Sequence, residues 1–489
     1  MKRIIILVGL CLSLISCLDL DPEKYEVINS SIYPKNKEDA EAIVVAAAYG
    51  TFRNNHYEGI FNSANGLQVI CDLSTDLGEC QWAESTWGEL LYHNWTPNYG
   101  YISRFYDYVK DFSKMILAES RISAVEMTEE ERNLLLAELS MAKGWLGYLL
   151  YDFYGPVPVP TMNELQDPLS EIIIKRPTAE WMVTFIKEEL GKAISVLPFK
   201  YDAKDSNYGR FTKGLAYTVL MKLYMHEKEW REAEKIGREL MKSDYGYDLL
   251  SEYKNIFQLE YEKNQEIIYA VQEDRGVSQQ LWLAHVLPGN YPVVNKAILK
   301  WNGYRVPWDF YNTYDKKDKR LQVLIGSYTG TDGVMYSEAH KGEWLTKGAI
   351  PLKYGEDPVA TGEESQVDWV VYRYADVLTL LAEAIVRQSG VTREAVELMN
   401  RIRSRAGLSI YTVDDFISPE DFLDKLLLER GHEFFFEGHR RSDLIRYGKY
   451  IDYARKKGST TTKDEFVLMP IPQWVINEGK GQVIQNPGY

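Results

Sequence analysis

The chain contains 489 residues, of which 45% are hydrophobic and 26% are charged. This balance is typical of a folded globular protein and excludes intrinsic disorder as the default state. The formal net charge of −15 argues against nucleic acid or an anionic membrane surface as the ligand, because both are bound by basic patches. A chain of this length exceeds one ordinary hydrophobic core, so we expect two lobes or one elongated array.

The N-terminus has the pattern of a bacterial lipoprotein signal. A basic pair at positions 2 and 3 precedes an apolar stretch, residues 4–15, that is too short to span a bilayer. The sequence Leu-Ile-Ser-Cys follows, with the cysteine at position 17, and is typical of a lipobox. We therefore predict a signal peptide over residues 1–16, lipidation of Cys17 and a polar, lipidated linker over residues 17–37. An ordinary signal peptide with a chance cysteine is the alternative.

Two cysteines remain in the mature chain, Cys71 and Cys80. Outside the cytoplasm such a pair can close a small disulfide loop. The spacing is not that of a zinc site. The sequence therefore does not decide between a disulfide and two free thiols.

Apolar residues recur at helical spacing through most of the chain. Thr128, followed three residues later by Glu131, predicts a capping box at the start of the clearest helix, and Gly155 and Pro156 end it. The predicted helical segments are 39–49, 101–123, 128–153, 177–197, 211–240 and 374–405.

Two of these segments are helix pairs with features of tetratricopeptide repeats. The first pair breaks at residues 226–229, and the second breaks at Ser389 and Gly390. In the first pair, the aromatic, leucine, tyrosine and alanine positions of the repeat are filled by Tyr217, Leu220, Tyr224 and Ala233. Met221 and Leu240 depart from its small-residue positions. Stacked helical hairpins of this kind predict a solenoid-like helical lobe.

Two stretches lack a sustained period, residues 54–100 and residues 247–368. The second is rich in Gly, Pro, Tyr and Trp and has only short β-like runs. Long irregular regions of a compact protein usually carry function, because loops are where binding residues concentrate. We therefore expect the ligand site in these stretches.

The sequence carries no complete catalytic motif. His226 and Glu227 begin like a zinc-protease helix, but Trp230 occupies the position of the second histidine. A phosphate loop, a nucleophile elbow and a dinucleotide fingerprint are also absent from the sequence. A glycosidase is not excluded, because that class of enzyme needs only two carboxylates, and these can come from distant positions in the chain.

Residues 427–446 combine many charges with three consecutive phenylalanines. Glu433 and Glu437 are the obvious candidates for a catalytic pair. Arginines at positions 430, 440 and 441 lie close to them in sequence, however, and a guanidinium group opposes the raised pKa that a general acid needs. We predict a structural ion network here rather than an active site.

Several stretches in chain order carry a family resemblance. They are the lipobox at Cys17, a helix end with Gly-x-Val-Pro at 142–158, the segments 372–384 and 400–408, the Glu-Arg…Glu…Glu-Gly-x-Arg…Asp-Leu-x-Arg pattern at 427–446, and the segments 469–472 and 485–489. Together they resemble the SusD/RagB family of outer-membrane nutrient-binding lipoproteins of Bacteroidetes. Arg441 stands where an aromatic residue is common in that family.

The resemblance implies a mainly α fold. It consists of a tetratricopeptide-like helical-repeat lobe (an α-α superhelix) and an irregular, loop-rich ligand-binding lobe with a few short strands. We expect an N-terminal helical region over residues 38–240 and a C-terminal SusD/RagB region over residues 241–489. The latter is loop-rich over 247–368 and helical over 369–450.

The resemblance also implies a function. It predicts a lipid-anchored outer-membrane protein, facing the cell surface, that binds an oligosaccharide and passes it to a SusC-like TonB-dependent transporter. Catalysis, a cofactor and a metal are not expected. A peptide or another nutrient as the ligand, a glycan-degrading enzyme and a scaffold that binds only proteins are the alternatives.

Aromatic residues with polar neighbours in the two irregular stretches form the predicted ligand platform. Sugars present apolar C–H faces and hydroxyl edges, which suit aromatic rings flanked by amides, carboxylates or guanidinium groups. The predicted contacts are Trp82, Trp87, Asn94 and Trp95 from the first stretch and Trp282, Tyr291, Trp301 and Arg305 from the second. A buried packing role is the alternative for each loop tryptophan.

Overall fold

A computed structural model describes residues 34–82, 86–166 and 173–489. The predicted signal peptide, Cys17 and nearly all of the linker lie outside these residues. The described residues are 49% helix and 8% strand, which confirms the mainly α fold class. Within the described ranges, every helix is too short or too polar to cross a membrane.

Ten α-helices lie in the described part of the chain up to residue 240. They are α1 (Lys37–Ala48), α2 (Leu67–Leu73), α3 (Trp87–Leu91), α4 (Gly100–Ser103), α5 (Asp111–Ile122), α6 (Glu129–Tyr154), α7 (Met162–Leu165), α8 (Ala179–Val196), α9 (Lys213–His226) and α10 (Trp230–Leu240). The predicted helical segments of this half are therefore present. The boundary between residues 240 and 241 stays a prediction.

The second half of the chain is irregular first and helical later. Its helices are α11 (Trp282–Val286), α12 (Trp308–Tyr311), α13 (Tyr374–Ser389), α14 (Arg393–Arg405), α15 (Pro419–Phe434), α16 (Arg440–Arg446), α17 (Tyr450–Lys457) and α18 (Gln473–Glu478). Between α10 and α13 the described chain contains only short helices and strands.

Helix α6 is the longest helix of the described chain, and local chemistry fixes both of its ends. The Thr128 hydroxyl accepts a hydrogen bond from the Glu131 N–H (3.3 Å), and the Glu131 carboxylate accepts one from the Thr128 N–H (3.1 Å). This is the predicted capping box. At the other end Gly155 has φ 73°, a conformation that glycine adopts without strain.

The helix pairs pack closely because small residues line their contacts. A Cβ on Gly237 of α10 would lie 3.0 Å from Leu381 of α13 and 3.0 Å from Met221 of α9. Similarly, a Cβ on Gly144 of α6 would lie 2.8 Å from Leu190 of α8. Close packing of α9, α10, α13 and α14 gives the repeat-like lobe that the sequence predicts.

The described strands form four antiparallel pairs. The strands are β1 (Glu79–Cys80), β2 (Ile267–Val271), β3 (Tyr304–Arg305), β4 (Leu324–Ile325), β5 (Ser327–Thr329), β6 (Met335–Ser337), β7 (Ile350–Pro351) and β8 (Trp369–Arg373). β1 pairs with β3, β2 with β8, β4 with β7 and β5 with β6. The pair of β1 and β3 joins the two irregular stretches of the sequence.

The charged segment 427–446 spans the end of α15, a short turn and α16, and it contains a buried ion network. Arg373 donates to Glu433 (2.5 Å), to Glu437 (2.7 Å) and to Glu266 (2.8 Å). Arg320 adds a contact to Glu433 at 3.3 Å. All five side chains are buried. Within the described chain, the carboxylates of this segment are therefore bound by cations, which confirms the predicted network.

Arg441 stands where the family resemblance predicts an aromatic residue. Its guanidinium group makes two kinds of contact there. Its guanidinium carbon lies 5.2 Å from the centre of the Phe153 ring. Its Nη1 donates to the Asp152 carboxylate at 2.9 Å. A planar guanidinium can stack on a ring and bind a carboxylate at the same time, so α16 stays attached to the end of α6.

The possible disulfide between Cys71 and Cys80 is not formed. Both cysteines are free and buried. Cys71 lies within α2, near the charges of Arg441 and Asp152, whereas Cys80 lies in β1 opposite Tyr304. The two side chains therefore belong to different packing environments, and burial raises the pKa of the Cys80 thiol to about 12.

Candidate ligand-binding site

The pairing of β1 with β3 brings the two irregular stretches of the chain together. Glu79 lies opposite Arg305 and Cys80 lies opposite Tyr304. Just beyond the pair, the Gln81 N–H donates to the Gly303 carbonyl (2.9 Å). Side chains that follow β1 are therefore held beside side chains that precede β3.

Trp82 and Trp301 meet at this junction. The indole N–H of Trp82 donates to the Trp301 carbonyl at 3.2 Å. The Trp82 ring lies across the backbone of Gly303, where a Cβ would be only 2.3 Å from the ring. Any larger residue at position 303 would displace the tryptophan. The absence of a side chain at Gly303 is thus a requirement of the site.

Four aromatic residues at this junction retain accessible surface, and we call them the aromatic platform: Tyr57, Trp82, Tyr101 and Trp301. The His285 ring links three of them. Its centre lies 6.0 Å from Trp82, 4.7 Å from Trp301 and 6.5 Å from Tyr57. Tyr57 is the most open of these residues, with 54% of its surface exposed.

Beneath the aromatic platform lies a layer of buried rings. Trp87 stacks on Tyr101 with 4.3 Å between ring centres and lies 5.4 Å from Tyr304. Tyr304 stacks on His285 at 5.3 Å, and its hydroxyl donates to the Ala64 carbonyl. Because each buried ring is held by another ring or by a backbone group, the platform is fixed before a ligand arrives.

The His285 side chain is a structural ring rather than a proton donor or acceptor for a ligand. Its Nδ1 lies 2.9 Å from the Leu281 carbonyl. Burial lowers the pKa of His285 to about 4, so the ring is neutral at neutral pH. A neutral, hydrogen-bonded imidazole adds a flat face to the site without adding charge.

Polar side chains border the aromatic platform at Tyr57. The adjacent His56 forms a contact of 2.5 Å with Glu364. Partial burial and the nearby Glu363 carboxylate raise the pKa of the Tyr57 hydroxyl. The site therefore combines exposed ring faces with carboxylate, imidazole and hydroxyl groups at one edge, a set that suits a polyhydroxylated ligand. Within the described ranges, no cluster of three or more metal-binding side chains could hold an ion.

The eight residues predicted from sequence divide into five groups. Trp82 and Trp301 lie in the aromatic platform, and Trp87 lies in the layer beneath it. Trp82 and Trp301 retain accessible surface, whereas Trp87 is buried. The contact of Trp82 and Trp301 with a ligand stays a prediction.

Trp282 and Arg305 are buried parts of the scaffold. The Trp282 indole donates to the Pro351 carbonyl (3.0 Å), and its ring lies 5.2 Å from Phe436. Arg305 donates to the carbonyls of Val286 (2.7 Å) and Trp344 (3.0 Å). Burial lowers the pKa of Arg305 to about 9. Both side chains are enclosed, so we assign them to packing and not to ligand contact.

Trp95 and Asn94 lie in a different cluster. The Trp95 indole donates to the hydroxyl of the C-terminal Tyr489 (2.8 Å), and its ring lies 5.9 Å from Phe466. Asn94 is exposed beside it. Trp95 therefore anchors the end of the chain. Tyr291, the eighth residue, lines a separate groove.

Sequence reasoning missed Tyr57 and Tyr101 as platform residues. Tyr57 lies in the irregular stretch 54–100, so its location and its ring were the available signals. Tyr101 lies at the start of a predicted helical segment, where an aromatic residue is usually part of the core. Only the contacts of Tyr101 with Trp87 and of Tyr57 with His285 reveal that they join one surface.

The fold and the candidate site together define a class of protein. It is mainly α-helical, and its helical repeats carry a loop-rich lobe with aromatic residues on the surface. Comparison with known proteins identifies the family. Residues 265–489 match the sequence profile described as the SusD family. Residues 68–225 match a profile described as "Starch-binding associating with outer membrane". The chain belongs to the SusD/RagB family.

Similar proteins are distant in sequence but extend over most of the chain. The chain is 22% identical to SusD-like protein P2 of Formosa agariphila, over 100% of both chains. It is 22% identical to starch-binding protein SusD of Bacteroides thetaiotaomicron, over 74% of each chain. These names describe family membership and starch binding, and neither names a catalytic activity.

Solved structures share the fold. A laminarin-binding SusD-like protein superposes with a TM-score of 0.77 at 20% identity, over 93% of this chain and 100% of that chain. Surface glycan-binding protein A of Bacteroides thetaiotaomicron, in complex with laminarihexaose, gives a TM-score of 0.74 at 20% identity, over 92% and 100%. At this identity the likeness establishes the architecture alone.

Proposed function

We propose that this protein binds a neutral oligosaccharide on the aromatic platform. One observation carries the proposal: Trp82 and Trp301, from distant parts of the chain, meet over a fixed layer of buried rings and keep accessible surface. Aromatic faces suit the apolar faces of sugar rings, and the polar edge beside Tyr57 suits their hydroxyl groups. The starch- and laminarin-binding relatives support the same class of ligand.

Rigid rings make this a favourable surface for a flexible ligand. A tryptophan held by neighbours loses little conformational freedom on binding, so more of the contact energy contributes to affinity. The net charge of −15 disfavours anionic ligands, which leaves neutral glycans as the best match. We propose binding without catalysis, since the sequence carries no complete catalytic motif.

We further propose that the protein is lipid-anchored through Cys17 to the outer membrane, faces the cell surface and delivers its ligand to a SusC-like TonB-dependent transporter. The lipobox and the outer-membrane description of the matching profile support this placement. Replacement of Cys17 by Ser should release the protein from the membrane fraction, because one residue carries the lipid.

A transporter that never co-purifies with the detergent-extracted lipoprotein would contradict the delivery step.

The test of the binding site uses protein that lacks residues 1–17 and a glycan array followed by affinity gels. Trp82→Ala and Trp301→Ala should each weaken binding at least about tenfold, the effect of removing a central aromatic anchor. Trp181→Ala is the matched control, since Trp181 is 46% exposed but stacks on Phe185 in α8. Glycan binding that survives both platform changes would exclude this site, and binding of peptides alone would exclude this ligand class.

A further inference from the structure

Tyr291 lies on a second surface, which we call the tyrosine–amide groove and define by Asn255, Gln258, Tyr261, Tyr291 and Gln322. Its cavity volume is about 400 Å³. Tyr261 is 45% exposed at the mouth. The groove therefore presents an accessible aromatic ring beside three primary amide groups.

The hydrogen-bonding groups of this groove are not used by the protein. Throughout the described chain, the amide groups of Asn255, Gln258 and Gln322 form no side-chain hydrogen bond, and neither do the hydroxyls of Tyr261 and Tyr291. Each amide offers two donors and an acceptor. The groove thus retains its full capacity to bind donors and acceptors of a ligand.

A second tyrosine-lined groove differs from the tyrosine–amide groove in this respect. There the Asn264 amide donates to the Tyr261 carbonyl (2.8 Å), and Arg210 binds the Glu138 carboxylate (2.7 Å). Those polar groups already stabilise the fold. Tyrosine content alone does not distinguish the two grooves, whereas unpaired amides do.

The base of the tyrosine–amide groove is rigid. Tyr354 is buried there, stacks on Trp369 with 4.8 Å between ring centres, and accepts the Val370 N–H at 3.1 Å. Gly355 follows, and a Cβ on it would lie 2.1 Å from the Gln258 amide oxygen. The missing side chain at Gly355 lets Gln258 lie along the groove wall.

The charges of the groove favour a neutral ligand. Lys254, Glu260 and Glu356 also line it. The Glu356 carboxylate already accepts the N–H groups of Val294 (2.9 Å) and Asn295 (3.0 Å). One lysine and two glutamates leave a formal charge of −1 in the lining, which disfavours an anionic ligand. Amides, hydroxyls and a ring face match the hydroxyls and apolar faces of a sugar.

We propose that the tyrosine–amide groove is a second carbohydrate-binding subsite, separate from the aromatic platform. The choice of a carbohydrate as the ligand rests on the proposed function, whereas the evidence that the groove is a binding site does not. The two surfaces are parts of one hydrogen-bonded unit: the Asn302 N–H, next to Trp301, donates to the carbonyl of Leu287, which lines the groove.

The experiment measures binding of laminarihexaose, maltohexaose and a mixed tryptic peptide pool by calorimetry, with protein lacking residues 1–17. Four forms are compared: the unaltered sequence, Trp82→Ala/Trp301→Ala, Gln258→Ala/Tyr261→Ala, and all four changes together. The platform variant should retain weaker oligosaccharide binding, and the added groove changes should reduce that residual affinity at least tenfold. Gly355→Ala, which displaces Gln258, should act like the groove changes, and Tyr201→Ala in the other groove should have no effect.

The outcomes separate this inference from the proposed function. Residual affinity that the groove changes leave intact overturns the second subsite while the platform stands. Loss of affinity with the groove changes but not with the platform changes overturns the platform and supports the groove. Binding of neither oligosaccharide, or of the peptides alone, overturns both. Unchanged melting temperatures of the groove variants exclude misfolding as the cause of lost binding.

Discussion

Arg373 forms a two-point ion pair with Glu437: Nε donates to Oε2 at 2.7 Å and Nη2 donates to Oε1 at 2.8 Å. The pair joins the end of β8 to the turn between α15 and α16. Both side chains are buried, so each charge depends on the other for the hydrogen bonds that water would otherwise provide. Glu433 binds the same guanidinium group, and the network therefore couples three parts of the chain.

Replacing Glu433 by Gln should destabilise the protein by about 3–5 kcal/mol, the usual result of removing one partner from a buried ion pair. Arg373, Arg405 and Arg320 would lose a shared carboxylate. Chemical denaturation measures the change. Glycan affinity per folded molecule should be unaltered, because the network lies outside the aromatic platform.

Glu397→Gln is the control for this change. Glu397 pairs with Arg393 on an exposed face of α14, so its replacement should change the free energy of unfolding by less than about 1 kcal/mol. Reduced glycan binding by Glu433→Gln at an unaltered melting temperature would contradict a structural role for the network.

The network also predicts the acid limit of stability. Burial alone would raise the pKa of Glu433, but the guanidinium groups of Arg405, Arg373 and Arg320 hold it well below its usual range. The same balance, with Arg430 and Arg446 as partners, lowers the pKa of Asp443 to about 2. Stability from these groups is fully present above the unfolded pKa of about 4 and is lost as pH falls toward 2.

Asp368 and Glu262 should have the opposite effect on stability. Burial raises the pKa of Asp368 to about 6, and burial together with the Asp368 charge raises the pKa of Glu262 to about 7. Because these pKa values are higher in the folded state, the stabilising contribution is present below about pH 4 and is lost as pH rises through 6–7.

Asp368→Asn should therefore stabilise the protein at about pH 8 by about 1–3 kcal/mol, and by less at about pH 5. The Asn side-chain oxygen can still accept the Glu273 N–H that Asp368 binds at 2.9 Å. Denaturation curves at the two pH values measure the difference. An equal effect at both would exclude titration of Asp368 as the cause.

Trp282→Ala should reveal a core residue rather than a ligand contact. The ring is buried against Trp369, Tyr304 and Phe436, so its removal should cost about 3–5 kcal/mol of stability. Trp82→Ala, at a surface position, should reduce the melting temperature less and glycan affinity more. If Trp282→Ala lost glycan affinity without loss of stability, its assignment to packing would be wrong.

Cys71 and Cys80 should remain reduced and unreactive. Cys71 and Cys80 are buried, and burial raises the pKa of both thiols. Since the thiolate is the reactive form, a thiol reagent should label the folded protein slowly and both cysteines after unfolding. Reducing agent should leave the melting temperature unchanged. If the reagent failed to label these two cysteines in protein that was unfolded without a reducing agent, the disulfide would be shown to form.

Local patterns in the sequence determined the helices and the nature of the charged segment. The capping box at Thr128 and Glu131 and the break at residues 226–229 act through neighbours in the chain, so they can be read without a structure. The network around Glu433 could be predicted for a similar reason: charges beside three phenylalanines must be paired when buried.

Only the tertiary structure decided which aromatic residues form a surface. Trp82, Trp87 and Trp282 all lie in irregular stretches with similar composition, and no local pattern separates them. The pairing of β1 with β3 exposes Trp82 beside Trp301, while the packing of Trp282 on Phe436 encloses it. Exposure depends on contacts between residues that are far apart in sequence, and for that reason composition could not separate the accessible tryptophans from the enclosed ones.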